Sequence, residues 1–169
     1  TVPRQSSDAD VLVRPSHVPA LFAAMRGTGW AMAYRFEDGS AFEHASTWLR
    51  RGLAWADVHR SFPGIGLNAE SAFDRLWADR QSVPIAGYPC WVPSVTGQRL
   101  ILILHAVRGG RLGSMDIQRA WADASEAERA AVDALAGEIG ATVALAAGTG
   151  RLEQHRHARE YLLWKALSA

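Results

Sequence analysis

The chain has 169 residues, a hydrophobic content of 49%, a charged content of 21% and a formal net charge of +1. That length suits one domain, or a core domain with an appended lobe, and it can bury a real core; the composition is that of a globular chain, not a disordered one. Near-neutral charge excludes a global field drawing the protein to nucleic acid or an acidic membrane, and the single Cys90 excludes a disulfide framework or a cysteine-built zinc site.

Residues 1–7 show no apolar periodicity and are expected to run over the surface. Ser7-Asp8-Ala9-Asp10-Val11-Leu12-Val13-Arg14-Pro15 then reads as a strand, with two alternating carboxylates giving way to β-branched apolar residues. Pro15 stops it, and Ser16 offers a cap for a helix whose apolar positions are Val18, Leu21, Phe22 and Met25. Gly27 and Gly29 end that helix, which should pack on the sheet.

Trp30, Met32, Tyr34 and Phe36 alternate as a half-buried strand, and Asp38-Gly39 signals a turn. Glu43 to Arg51 reads as a second strand, although Ala45 and Leu49 also suit a helix. Gly52 then bends the chain into a third strand, Leu53 to Arg60. The glycines of Phe62-Pro63-Gly64-Ile65-Gly66 either form turns or let backbone approach a ligand.

From Asn68 a helix with Phe73, Leu76 and Trp77 on one face is expected, then a proline-limited edge hairpin between Val83 and Pro93. Thr96 caps a helix apolar on all sides from Leu100 to Leu104, too short to cross a bilayer. Ser114 caps a short helix to Trp121, and Ser125 with Glu128 forms a capping box for a helix bearing Val132, Leu135 and Ile139. An alanine-rich helix over Ala141 to Ala147 and a last helix from about Leu152 complete the chain. The seven tryptophans are assigned chiefly to the core. The class is α+β, a small mixed sheet followed by helices, divided into residues 1–94 and a helical lobe over 95–169. No targeting segment or membrane-length apolar run is evident, so a cytoplasmic location without membrane contact is expected.

Alternation puts Asp8 and Asp10 on one side of the first strand, and Leu53, Trp55, Asp57 and His59 on one side of the third. Were these strands neighbours, three carboxylates would converge. Their repulsion is relieved either by protonation or by a divalent cation such as Mg²⁺, and the reading adopted is the cation.

The Asp8-x-Asp10 strand, a helix, and a hairpin whose second strand reads Ala56-Asp57-Val58-His59-Arg60 together resemble the polymerase-β-like nucleotidyltransferase superfamily. Within it the chain looks most like the bacterial group of small nucleotidyltransferases, with an Asp-x-Asp-Leu-Leu-Val-x-Pro strand and a Val-Asp-apolar-His strand. The resemblance covers most of the chain, and its specific motifs occupy these two strands. It implies a nucleotidyltransferase-type sheet, a metal-binding triad of Asp8, Asp10 and Asp57, bound Mg²⁺, and an NTP substrate. Ser7, Arg14 and His59 are the neighbouring candidates for contact with the cofactor. One departure stands out: the Gly-Ser turn that the superfamily carries ahead of its first aspartate has no counterpart, because Ser6-Ser7 lies too close to the acids. Two explanations stay open, a missing N-terminal piece or a degenerate fold.

The resemblance therefore implies an enzyme that moves a nucleoside monophosphate from an NTP onto a small molecule, a peptide or a protein, and the near-neutral charge argues against a nucleic-acid acceptor. A non-catalytic binding module on the same fold is the alternative. A third reading is an oligomeric scaffold joined through a tryptophan-rich surface.

Overall fold

The computed structural model describes residues 8–168 apart from Ser40 and Leu53, and it is a mixed α+β structure. Its residues group into two compact units that divide between Ser61 and Phe62.

The first unit runs β1 (Asp8–Leu12), α1 (Val18–Gly27), β2 (Ala31–Tyr34), α2 (Phe36–Gly39), β3 (Ala45–Arg50) and β4 (Ala54–His59). β2, β3 and β4 form the expected antiparallel meander, and β1 joins its far edge parallel to β4, in the order β1-β4-β3-β2. A parallel pair needs a crossover, here supplied by α1 and the first two strands of the meander.

One face of this sheet is the packed one. Trp48, Ala56 and Val58 are buried on it, and α1 lays Phe22 against Trp48 with ring centroids 4.7 Å apart. Phe36 stacks on Phe22 at 5.7 Å, and the Arg60 guanidinium covers Phe36 at 4.3 Å. Ser46, fully buried beside them, donates from Oγ to the Tyr34 carbonyl at 2.9 Å.

Two local expectations change here. α1 begins at Val18 with no side-chain cap, because Ser16 falls inside a 3-10 turn over Pro15–His17. β2 ends at Tyr34 because the Arg35 amide and guanidinium both bond the Asp38 carboxylate, closing a helical turn that rotates Phe36 into the core. The same guanidinium holds the Asp38 carboxyl below its usual range.

The second unit contains α3 (Ala69–Ala78), the hairpin β5 (Gln81–Ile85) and β6 (Tyr88–Val92), and α4 (Val95–Arg108). There follow α5 (Met115–Ile117) with a π-helical turn to Ala122, α6 (Glu126–Glu138), α7 (Thr142–Gly148), a 3-10 turn over Leu152–His155, and α8 (Tyr161–Leu167). α4 is its axle: Leu100, Ile103, Leu104, Ala106 and Val107 are all buried. α7 approaches so closely that a Cβ on Gly148 would lie 2.5 Å from Ile103 Cγ2, which only glycine avoids.

The loop glycines after Phe62 serve a similar purpose. The amides of Gly66 and Leu67 donate to the Ile139 carbonyl at 3.0 and 3.2 Å, and a Cβ on Gly64 would meet Ala144 at 2.6 Å. Backbone here approaches neighbouring helices of its own unit.

Asn68 caps α3 through the Ser71 amide, and the Ser125–Glu128 capping box forms as the sequence predicts. Ser94, not Thr96, caps α4, accepting from the Gly97 amide at 3.2 Å. The last helix starts at Tyr161, since residues 156–160 bring no apolar stripe to bury; Tyr161 and Trp164 supply it. The β5–β6 turn places Ala86 and Gly87 at φ of 51° and 84°, as a two-residue hairpin requires, with Pro84 opposite Pro89. Tryptophans divide: Trp48 and Trp164 are buried, whereas Trp55, Trp77 and Trp91 are exposed. No described helix is long and apolar enough to cross a membrane.

Candidate metal centre

The face of the first sheet opposite Trp48 carries the acids. Parallel pairing sets Asp10 directly beside Asp57, Asp8 beside Trp55 and Leu12 beside His59. Because side chains alternate along a strand, Asp8, Asp10, Asp57 and His59 all lie on this face. β3 adds a further residue, Thr47, directly opposite Asp57.

Hydrogen bonds order the group. His59 Nε2 lies 2.9 Å from Asp10 Oδ1, bridging the two strands diagonally. Thr47 Oγ1 donates to Asp57 Oδ1 at 2.6 Å, fixing one oxygen of that carboxylate and with it the plane of the group. His59 is 3% exposed, and its ring lies 5.5 Å from that of His44, itself buried, at an interplanar angle of 47°. Asp57 is half-buried and Asp10 is exposed, so the cluster rises from a buried imidazole to an accessible carboxylate.

One donor atom from each of Asp10, Asp57 and His59 falls within 4.8 Å of the other two. Among the described residues this is the group of histidines, cysteines and carboxylates that could hold a metal ion. Two hard oxygen donors and one imidazole nitrogen, carried on rigid strands and open on the Asp10 side, suit a divalent cation that keeps further positions for substrate or water.

The residues singled out from the sequence are placed as follows. Asp10, Asp57 and His59 come together. Asp8 heads β1, exposed and on the same side as Asp10, but it is not one of the three convergent donors. Arg14 is half-buried and lies between β1 and the 3-10 turn that follows. Ser7, like Leu53, lies outside the described residues. Thr47 is the contributor that sequence reasoning missed. Its signal was the alternation of β3, which sets Ser46 and Trp48 on one face and Thr47 on the other, but the partner of Thr47 depends on register.

A model of a family described as uncharacterised nucleotidyltransferase matches residues 3–155, taking in both strands of this cluster. The chain belongs to that family. No curated protein matches it. Membership supports a general role in nucleotidyl transfer, with a nucleotide as the substrate class. In this nucleotidyltransferase family member, the acids that carried the resemblance lie on adjacent parallel strands, and the histidine two residues after the last of them closes the group.

Proposed function

We propose that the protein is a divalent-cation-dependent enzyme that transfers a nucleoside monophosphate from an NTP to a hydroxyl or phosphate of a small molecule, peptide or protein. The observation that carries this reading is the convergence of Asp10, Asp57 and His59 on β1 and β4 in a chain of nucleotidyltransferase family.

Nucleotidyl transfer forms a bond between the acceptor oxygen and the α-phosphorus and breaks the bond from that phosphorus to the pyrophosphate oxygen. Proteins promote it mainly by placing the two oxygens in line and by meeting the charge that develops on the α-phosphoryl group. Asp10 and Asp57 would hold the cation, with Asp8 completing the acidic set from the same side of β1. When bound, the cation supplies the positive charge that the triphosphate requires. Asp57, its Oδ1 tied to Thr47, is the carboxylate best placed to accept the acceptor hydroxyl's proton as general base. Arg14 and Ser7 are the proposed contacts to the nucleotide phosphates.

The test incubates the full chain with each α-labelled NTP, a divalent cation and pooled acceptors, and follows pyrophosphate release and label transfer. Release that depends on the cation is the expected result. Asp10→Asn and Asp57→Asn should each lower it by on the order of a thousandfold, with an unchanged melting temperature. Retained turnover in both variants overturns the assignment.

A further inference from the structure

The sequence pattern points to three carboxylates and hence to Mg²⁺, yet the three donors that converge include an imidazole. This matters for the choice of ion. Mg²⁺ demands oxygen ligands in near-ideal octahedral geometry, whereas imidazole suits transition metals. Mn²⁺ shares the preference of Mg²⁺ for carboxylate oxygen but, as a first-row transition ion, takes an imidazole nitrogen beside it more readily than Mg²⁺ does. Resting on the proposed function, we infer that His59 is a nitrogen ligand of the cation and that the centre is selective for Mn²⁺ over Mg²⁺.

The distances allow ligation by the ring. Around an octahedral ion with bonds of about 2.1 Å, adjacent ligand atoms lie about 3 Å apart and opposite ones about 4.2 Å. His59 Nε2 and Asp10 Oδ1 are 2.9 Å apart, and the three donor atoms lie within 4.8 Å of one another. Ligation by Nε2 would carry the ring proton on the buried Nδ1 instead of Nε2 and draw in any pair of donors wider than about 4.2 Å.

Burial makes the arrangement durable. At 3% exposure, packed against the buried His44 ring and fixed on a strand with neighbours on both sides, His59 has little freedom to swing away. A ligand that cannot leave imposes its preference on whichever ion arrives. Asp10, exposed and on the edge strand, is the more adaptable partner.

The full chain is titrated calorimetrically with Mn²⁺ alone and with Mg²⁺ alone, and the Mn²⁺-loaded chain is examined by electron spin-echo modulation. Expected are affinity for Mn²⁺ at least about tenfold above that for Mg²⁺, and a ¹⁴N modulation from a directly bound imidazole. His59→Asn should lose the modulation and bring the two affinities close to parity. The spin-echo measurement on the unaltered chain needs no variant, so a misfolded substitution leaves the test intact. Bound Mn²⁺ without ¹⁴N modulation, equal affinities in the unaltered chain, or no binding of either ion overturns the inference. Nitrogen-coupled Mn²⁺ in a chain that releases no pyrophosphate sinks the transferase reading and leaves this one standing; Mg²⁺-driven transfer without nitrogen coupling does the reverse.

Discussion

The two units fill their interiors differently. In the first, the buried apolar residues are Phe36, Trp48, Ala56 and Val58, and beside them lie His44, Ser46 and His59, the buried polar residues of the described chain. In the second, the buried set is apolar and extends from Ala72 through α4, α6 and α7 to Trp164. A buried polar group costs free energy unless it is hydrogen-bonded, so it persists where it does something that packing cannot. The unit that carries the acids is the one with buried polar residues, and one of them, His59, bonds Asp10 directly. Among the described residues of the second unit the buried side chains are apolar or aromatic, and apolar contact stabilises it.

That contrast can be broken most forcefully in α4. Leu104, 1% exposed in the middle of the axle, should cost about 2–5 kcal/mol when changed to alanine, because it leaves a cavity that close-packed helices cannot collapse. Chemical denaturation would read it, and a loss below 1 kcal/mol would mean that the second unit is loosely packed. A smaller effect sharpens the other side. Ser46→Ala deletes the hydroxyl bonded to the Tyr34 carbonyl and should cost about 1 kcal/mol, with faster amide exchange in β2 and β3 but little change in α4.

The smallest effect lies at the start of α6. Hydrogen bonds from the Ser125 amide and hydroxyl hold the Glu128 carboxyl below the usual glutamate range, with Arg99 adding to the effect. A carboxyl lowered on folding contributes stability at pH above its unfolded value and loses that contribution as pH falls through its folded one. Ser125→Ala should therefore lower stability at neutral pH by less than Ser46→Ala does. The gap from the unaltered chain should narrow in melts below about pH 4. A gap independent of pH would separate the cap from the carboxylate.

Much of this was legible in the residues. Alternation alone put Asp8, Asp10, Asp57 and His59 on the correct faces, because a period of two leaves no freedom once a strand is granted. Capping by Asn68 and Ser125 was readable because the cap and its helix are local. Local rivals caused the misses: Ser94 and Thr96 are both good caps two residues apart, and the Arg35–Asp38 bond turned a strand end into a helical turn. Nor could the role of Thr47 be read, since it exists only through the β3–β4 register. The identity of the third converging donor was hidden for a similar reason. Which side chains meet is a question of diagonal as well as direct neighbours, and His59 reaches Asp10 diagonally.

The crossover that makes β1 and β4 parallel has a kinetic side. Asp10 and His59 are 49 residues apart in the chain, and their strands can pair only after α1 and the intervening meander have found their places. Capture of an ion at this spot, as proposed, would therefore report that β1 and β4 have paired. During refolding from denaturant, a metal-sensitive signal should rise after helical dichroism has recovered, making the cation a clock for that pairing.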